Sequence, residues 1–121
     1  MTWPARRQYN GRVMTDASVS IRPIGADDFE AVSALLAELG RPTLSDETRA
    51  DAQRFYERHL ARPDTASLLA ELDGAAVGFM SLEFRERLNR TTPQAWIPDL
   101  IVTPSARGRG VGRALLERGF A

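Results

Sequence analysis

The sequence predicts a mixed α/β domain on a mostly antiparallel sheet, ordered strand, helix, helix, three strands, helix. Three observations carry this. Apolar residues alternate with polar ones over Val19-Ser20-Ile21-Arg22, then recur at helical spacing from Phe29 to Leu39. Asp73-Gly74 stands between two apolar runs and is the strongest hairpin signal in the chain. An apolar strand through Leu100-Ile101-Val102 runs into a glycine-dense segment that opens a helix.

Each element follows from local chemistry. Pro23 closes the first strand, and Ala26-Asp27-Asp28 opens a helix with carboxylates where its dipole favours them. Phe29, Val32, Leu35, Leu36 and Leu39 form its apolar stripe, and Gly40 and Pro42 stop it. Ser45 is a good N-cap for a second helix over roughly 46–61. Thr48 follows where a capping box would carry Glu, and Phe55, Tyr56, His59 and Leu60 give a mixed face. Residues 67–72 read as a strand, and a long strand from Ala76 to about Phe84 returns from the hairpin. The polar stretch 85–94 reads as a loop, and Ala95 to Thr103 as the fourth strand, ended by Pro104. From Arg109 the pattern is helical again, with Val111, Ala114, Leu115 and Leu116. Residues 1–17 are polar, Arg-rich and aperiodic, so they are expected to form a disordered tail before one domain over 18–121, with Met14 an alternative start.

Composition narrows the function classes. The 121 residues suffice for one domain. Sixteen basic residues, all Arg, balance sixteen acidic ones, which argues against a nucleic-acid partner despite the Arg-Gly-Arg-Gly run. There is no Cys, which excludes disulfides, thiolate metal sites and a Cys nucleophile, and fits a cytoplasmic protein. No apolar run approaches the roughly 18 residues of a bilayer span, so no membrane role is expected.

The chemistry concentrates in Arg107-Gly108-Arg109-Gly110-Val111-Gly112-Arg113. A helix start offers unpaired backbone N–H groups and a positive dipole end. Glycines at 108, 110 and 112 let an anion approach the backbone, and Arg107, Arg109 and Arg113 add charged donors. Such a loop suits a diphosphate. It is not a P-loop, because the chain has no Lys. It is not a dinucleotide turn either, because the glycines run Gly-x-Gly-x-Gly and lie late in the chain.

Arg107-x-x-Gly110-x-Gly112 resembles the Gln/Arg-x-x-Gly-x-Gly/Ala motif of the GNAT N-acetyltransferases, and the order of elements from about residue 19 is similar to that family's. The resemblance implies a partial GNAT fold, since the family's fifth strand, next helix and last hairpin do not follow the loop. It implies acetyl-CoA as cosubstrate and no metal. Backbone groups of Leu100, Ile101 and Val102 would pair with the pantetheine arm, and the amides from Gly108 through Arg109, Gly110, Val111 and Gly112 to Arg113 would hold the diphosphate. In the family the fourth strand carries a bulge and splays from the fifth. Pro98, which a fully paired strand does not tolerate, falls there.

The implied reaction is direct transfer of an acetyl group to a primary amine. It requires a base for the amine proton and a donor for the oxyanion, for which an N–H near Leu100 can serve. Asp99 is the first candidate base and Glu83 the second. His59 reads as a helix C-terminal histidine favoured by the dipole, and Trp96 and Tyr56 as core or pocket wall. The family's usual Tyr acid, beyond the motif helix, has no counterpart, because Tyr9 and Tyr56 precede it. The alternative is a non-catalytic coenzyme A- or anion-binding remnant, or a subunit completed by a partner chain. The acceptor, a small-molecule amine or a protein amine, is not named by any residue, and a homodimer is left open.

Overall fold

A computed structural model describes residues 19–42, 44–89 and 91–120. The expected tail over 1–17 lies outside these. The chain is a mixed α/β fold whose strand pairs, among the described residues, are all antiparallel. Strands β1 (Val19–Pro23), β2 (Leu68–Leu72), β3 (Ala75–Met80) and β6 (Leu100–Val102) form one sheet in the order β1-β2-β3-β6. Strands β4 (Glu83–Arg85) and β5 (Gln94–Trp96) pair separately as a hairpin. Helices α1 (Phe29–Glu38) and α2 (Asp46–Ala61) connect β1 to β2, and α3 (Val111–Gly119) follows β6.

Alternation along the strands sends residues to two cores. Leu69, Phe79 and Ile101 lie side by side across β2, β3 and β6 and pack with Phe29, Val32 and Leu35 of α1 and Tyr56 of α2. Leu68, Ala70 and Met80 face the other way, with Val111 and Leu115 of α3. Burying each large side chain contributes roughly 1.5–3 kcal/mol. Gly78 sits under α3, where an added Cβ would lie 3.0 Å from Val111 Cγ1 and 3.3 Å from Leu115 Cδ1. Its missing side chain lets the start of α3 approach the sheet closely.

Local signals act as their chemistry dictates. Asp73 and Gly74 both adopt positive φ (53° and 83°), as a two-residue hairpin of type I′ requires. Ser45 Oγ accepts the Thr48 N–H at 3.3 Å, and Thr48 Oγ1 accepts the Ser45 N–H at 3.0 Å, so threonine closes the box in place of Glu. Ahead of α1, the expected helix start at Ala26–Asp28 is a 3₁₀ turn. Asp28 there accepts two bonds from Arg22 (2.7 and 2.8 Å) and one from the Gly25 N–H (2.7 Å). Arg22 also reaches Glu71 at 2.8 Å, tying the turn to β1 and β2.

Two expectations about strands are corrected. The strand expected from Ala76 to Phe84 is broken after Met80, and that expected from Ala95 to Thr103 is broken between Trp96 and Leu100. Both breaks lie at one level of the ladder. Ser81 N donates to Asp99 O at 2.9 Å, in register with β3 and β6, whereas Glu83 pairs with Trp96. One residue separates Ser81 from Glu83, but two, Ile97 and Pro98, separate Trp96 from Asp99. The extra residue is a bulge, and Pro98 has no N–H to continue the ladder. Residues 85–94 accordingly include the ends of a hairpin as well as its loop.

Candidate active site

The glycine loop forms at the end of β6. After Val102 the chain makes a 3₁₀ turn, Pro104–Ala106, and Ala106 is buried beneath α3. Gly108 and Gly110 then adopt φ of 82° and 79°, left-handed values that other L-residues reach at a cost of about 1–2 kcal/mol. Gly110 is the N-cap of α3, which therefore begins at Val111 rather than Arg109. The first helical bond runs from Ala114 N–H to Gly110 O at 2.9 Å, so the amides of Val111 and Gly112 precede it at the positive end of the helix. A Cβ at Gly108 would stand in open space, which leaves that flank of the loop accessible. Arg107 is exposed, with Nε donating to Val102 O at 2.9 Å. This bond braces the loop against β6.

The exposed edge of β6 follows from parity. Ser81 N–H bonds Asp99 O, and Thr103 N–H bonds Val77 O at 2.8 Å, so close pairs fall at every second residue. Ile101 therefore exchanges its main-chain bonds with Phe79, and its side chain is buried. The polar main-chain groups of Leu100 and Val102 point to the other edge. Of the three residues expected to pair in sheet fashion, Leu100 and Val102 are presented for it, and Ile101 holds the strand in place.

At the start of β6, where Pro98 and Asp99 lead into it, lies a cavity of about 330 Å³ between α1, α2 and the sheet. It is lined by both acids singled out in the sequence, Asp99 and Glu83, together with Tyr56, His59, Ser81 and Arg41. Asp99 Oδ1 accepts two bonds from Arg41 (2.5 and 3.0 Å). Its Oδ2 receives a longer one from Ser81 (3.3 Å), whose hydroxyl oxygen in turn accepts the Asp99 N–H at 2.9 Å. The bulge thus turns Asp99 into the cavity, with Ser81 replacing the missing ladder partner. Glu83 belongs to β4, not to a continuous third strand, and pairs with Arg85 at 3.2 Å.

His59 was legible only as a histidine near a helix end. It lines the same cavity and shares a 2.7 Å hydrogen bond with Ser67 Oγ. Burial pushes its imidazole below the ordinary 6.5, with Glu83 pulling the other way, so it is neutral at pH 7. A neutral ring gains nothing from the helix dipole, which leaves that account to Arg58. Tyr56 is pocket wall as expected. Its hydroxyl donates to Gly25 O at 2.6 Å, and burial pushes its pKa up to about 12. Trp96 is neither core nor wall; it is 40% exposed, with the Arg85 guanidinium 4.5 Å from its ring centre. No group of three or more acidic, His or Cys side chains able to hold a metal occurs among the described residues. No helix among them is long and apolar enough to cross a membrane.

Comparison with known proteins gives this geometry a family. A putative acetyltransferase from Agrobacterium tumefaciens superposes with a TM-score of 0.72 at 26% identity, over 84% of this chain and 70% of that one. The acetyltransferase AAC(6')-Iy, solved with the bisubstrate analogue CoA-S-monomethyl-acetylneamine, superposes with a TM-score of 0.66 at 29% identity, over 81% of this chain and 66% of that one. The aminoglycoside 6'-N-acetyltransferase AAC(6')-Ih from Acinetobacter baumannii shares the fold, with a TM-score of 0.71 at 23% identity, over 84% of this chain and 69% of that one. No curated protein matches the sequence. The family model of the GNAT acetyltransferases matches residues 30–120, from α1 through the glycine loop to the end of α3. The chain belongs to the acetyltransferase (GNAT) family.

Proposed function

We propose that the protein transfers an acetyl group from acetyl-CoA directly to a primary amine. The observation that carries the reading is β6, whose open edge runs from a cavity with two carboxylates to the glycine-capped start of α3. The residues fit coenzyme A at two points. Left-handed Gly108 and Gly110 and the amides of Val111 and Gly112 suit a diphosphate. The outward main-chain groups of Leu100 and Val102 suit an amide-bearing arm laid along the edge. The Val102 carbonyl is partly claimed by Arg107, so Leu100 is the freer partner. The family and the neighbour solved with a coenzyme A analogue support acetyl-CoA use, and neighbours named for amine substrates support an amine acceptor.

When bound, acetyl-CoA supplies an activated thioester carbonyl. The protein's own residues do the rest. The Leu100 N–H, aimed away from β3, is placed to donate to an oxyanion. Asp99, one residue earlier, is held by Arg41 through Oδ1, and its Oδ2, which accepts one long bond from Ser81, can accept a second from an incoming ammonium. Neutral His59, with Glu83 beside it, takes the amine proton. With Nε2–H donated to Ser67 Oγ, Nδ1 is the nitrogen that accepts the proton, and the ring keeps its Ser67 partner in both charge states.

The test is calorimetry of acetyl-CoA against the parent chain and Gly110→Glu. A glutamate at a left-handed N-cap adds bulk and like charge where the diphosphate would lie, and at least a tenfold loss of affinity is expected. Unchanged affinity in a folded variant would remove the loop from the site.

A further inference from the structure

We infer that the acceptor is a primary amine carried on one small apolar body, an aromatic ring or a short aliphatic chain, and not a polycation. The inference rests on the acetyl-transfer reading and deepens it. The cavity holds about 330 Å³, near the lower end of small-ligand pockets. Phe29, Val32, Leu36 and Phe79 wall it, and Leu44 and Phe55 stand toward α2. Phe55 is 63% exposed, although it lies on the helix face that otherwise packs Tyr56 inward. One face of its ring is covered by the Arg58 guanidinium, 4.8 Å from the ring centre, and the side chain still lines the cavity.

The charges point the same way. Two carboxylates line the cavity, and each already holds an arginine: Asp99 with Arg41 and Glu83 with Arg85. One ammonium can be met at Asp99 Oδ2. A second or third would have to compete with an existing arginine pair or lie against the apolar wall without a counter-charge. An anionic acceptor is disfavoured too, because the Arg41 guanidinium is engaged by Asp99.

The experiment is a steady-state comparison of 2-phenylethylamine, hexylamine, spermidine, kanamycin and glycine with saturating acetyl-CoA. The expected result is a kcat/KM for 2-phenylethylamine and hexylamine at least tenfold above those of the other three. Phe55→Ala should raise KM for 2-phenylethylamine at least fivefold and leave that for spermidine within twofold. Spermidine or kanamycin matching the apolar amines would overturn the inference while acetyl transfer itself stood. If no amine is turned over, the acetyl-transfer reading fails, and saturation-transfer NMR of 2-phenylethylamine with the chain and coenzyme A decides the inference. A signal that Phe55→Ala weakens upholds an apolar-amine site; no signal overturns it.

Discussion

Gly78→Ala perturbs the fold and the cofactor loop at one point. The new methyl would lie 3.0 Å from Val111 Cγ1, 3.3 Å from Ile101 O and 3.3 Å from Leu115 Cδ1. Carbon contacts are favourable at about 3.5–4.0 Å, so one neighbour must move by roughly half an ångström. The Ile101 carbonyl cannot yield without disturbing its pair with Phe79. Val111 and Leu115 are buried, and valine is stiff about χ1, so α3 itself is displaced. Overpacking of this kind costs about 1–3 kcal/mol, and the lower unfolded-state entropy of Ala offsets about 0.4–1 of it. The net expectation is a loss of about 1–2 kcal/mol, a fall in Tm of roughly 4–8 °C. Since Val111 is the first residue of α3, acetyl-CoA affinity should fall at least threefold as its amide shifts. Urea denaturation and calorimetry read the two effects. Val111→Ala removes the clashing Cγ1, at its own cost of about 2 kcal/mol. The double variant should therefore be more stable than the sum of the singles predicts, by about 1 kcal/mol. A Gly78→Ala protein as stable as the parent, with unchanged affinity, would refute the claim that α3 is pinned through this contact.

Two further outcomes concern pH. Asp28, held by Arg22 and the Gly25 N–H, has its carboxyl pushed below the ordinary 3.8, so its contribution is present above about pH 4 and lost as pH falls through the folded value. Asp28→Asn should cost about 1–2 kcal/mol at pH 7 and converge on the parent in acid; denaturation curves with a constant offset down to pH 2 would exclude this. Burial holds His59 below 6.5, so the unfolded chain binds more protons just under that pH and stability declines as pH drops below 6.5. The acid limb of kcat/KM should lie below 6.5, and His59→Gln should abolish it and lower kcat by about 10²–10⁴-fold. Retention of both limb and rate would assign proton removal elsewhere.

What was legible in the sequence was local. The bounds of β1 and α2, the Asp73-Gly74 turn and the glycine loop rest on interactions within a few residues, and each formed as its composition dictates. The family resemblance was carried by the same loop. Less legible was anything set by two distant segments at once. Ala76 to Phe84 has uninterrupted strand chemistry, and nothing within it marks a break at Ser81. The break depends on Pro98, seventeen residues away. His59 was equally opaque, because its charge state depends on burial beside Glu83 and Ser67 and not on its place in α2. Phe55 was assigned to an apolar face, yet packing leaves it at the rim.

Pro98 then does more than interrupt a ladder. Without its N–H, and with one surplus residue, the strand cannot stay in register beyond Asp99. The β4–β5 hairpin therefore pairs apart from the main sheet, joined along its other side by Phe84 N–H to Asp64 O at 2.8 Å. The residues at the divergence are Ser81, Glu83, Pro98 and Asp99, and all four line the cavity. A continuous pair of long strands would engage Asp99 and Glu83 in regular ladders and leave no irregularity to aim them. The residue least suited to a strand is thus the one that gathers the polar groups of the site, two residues before the Leu100 N–H that faces the open edge.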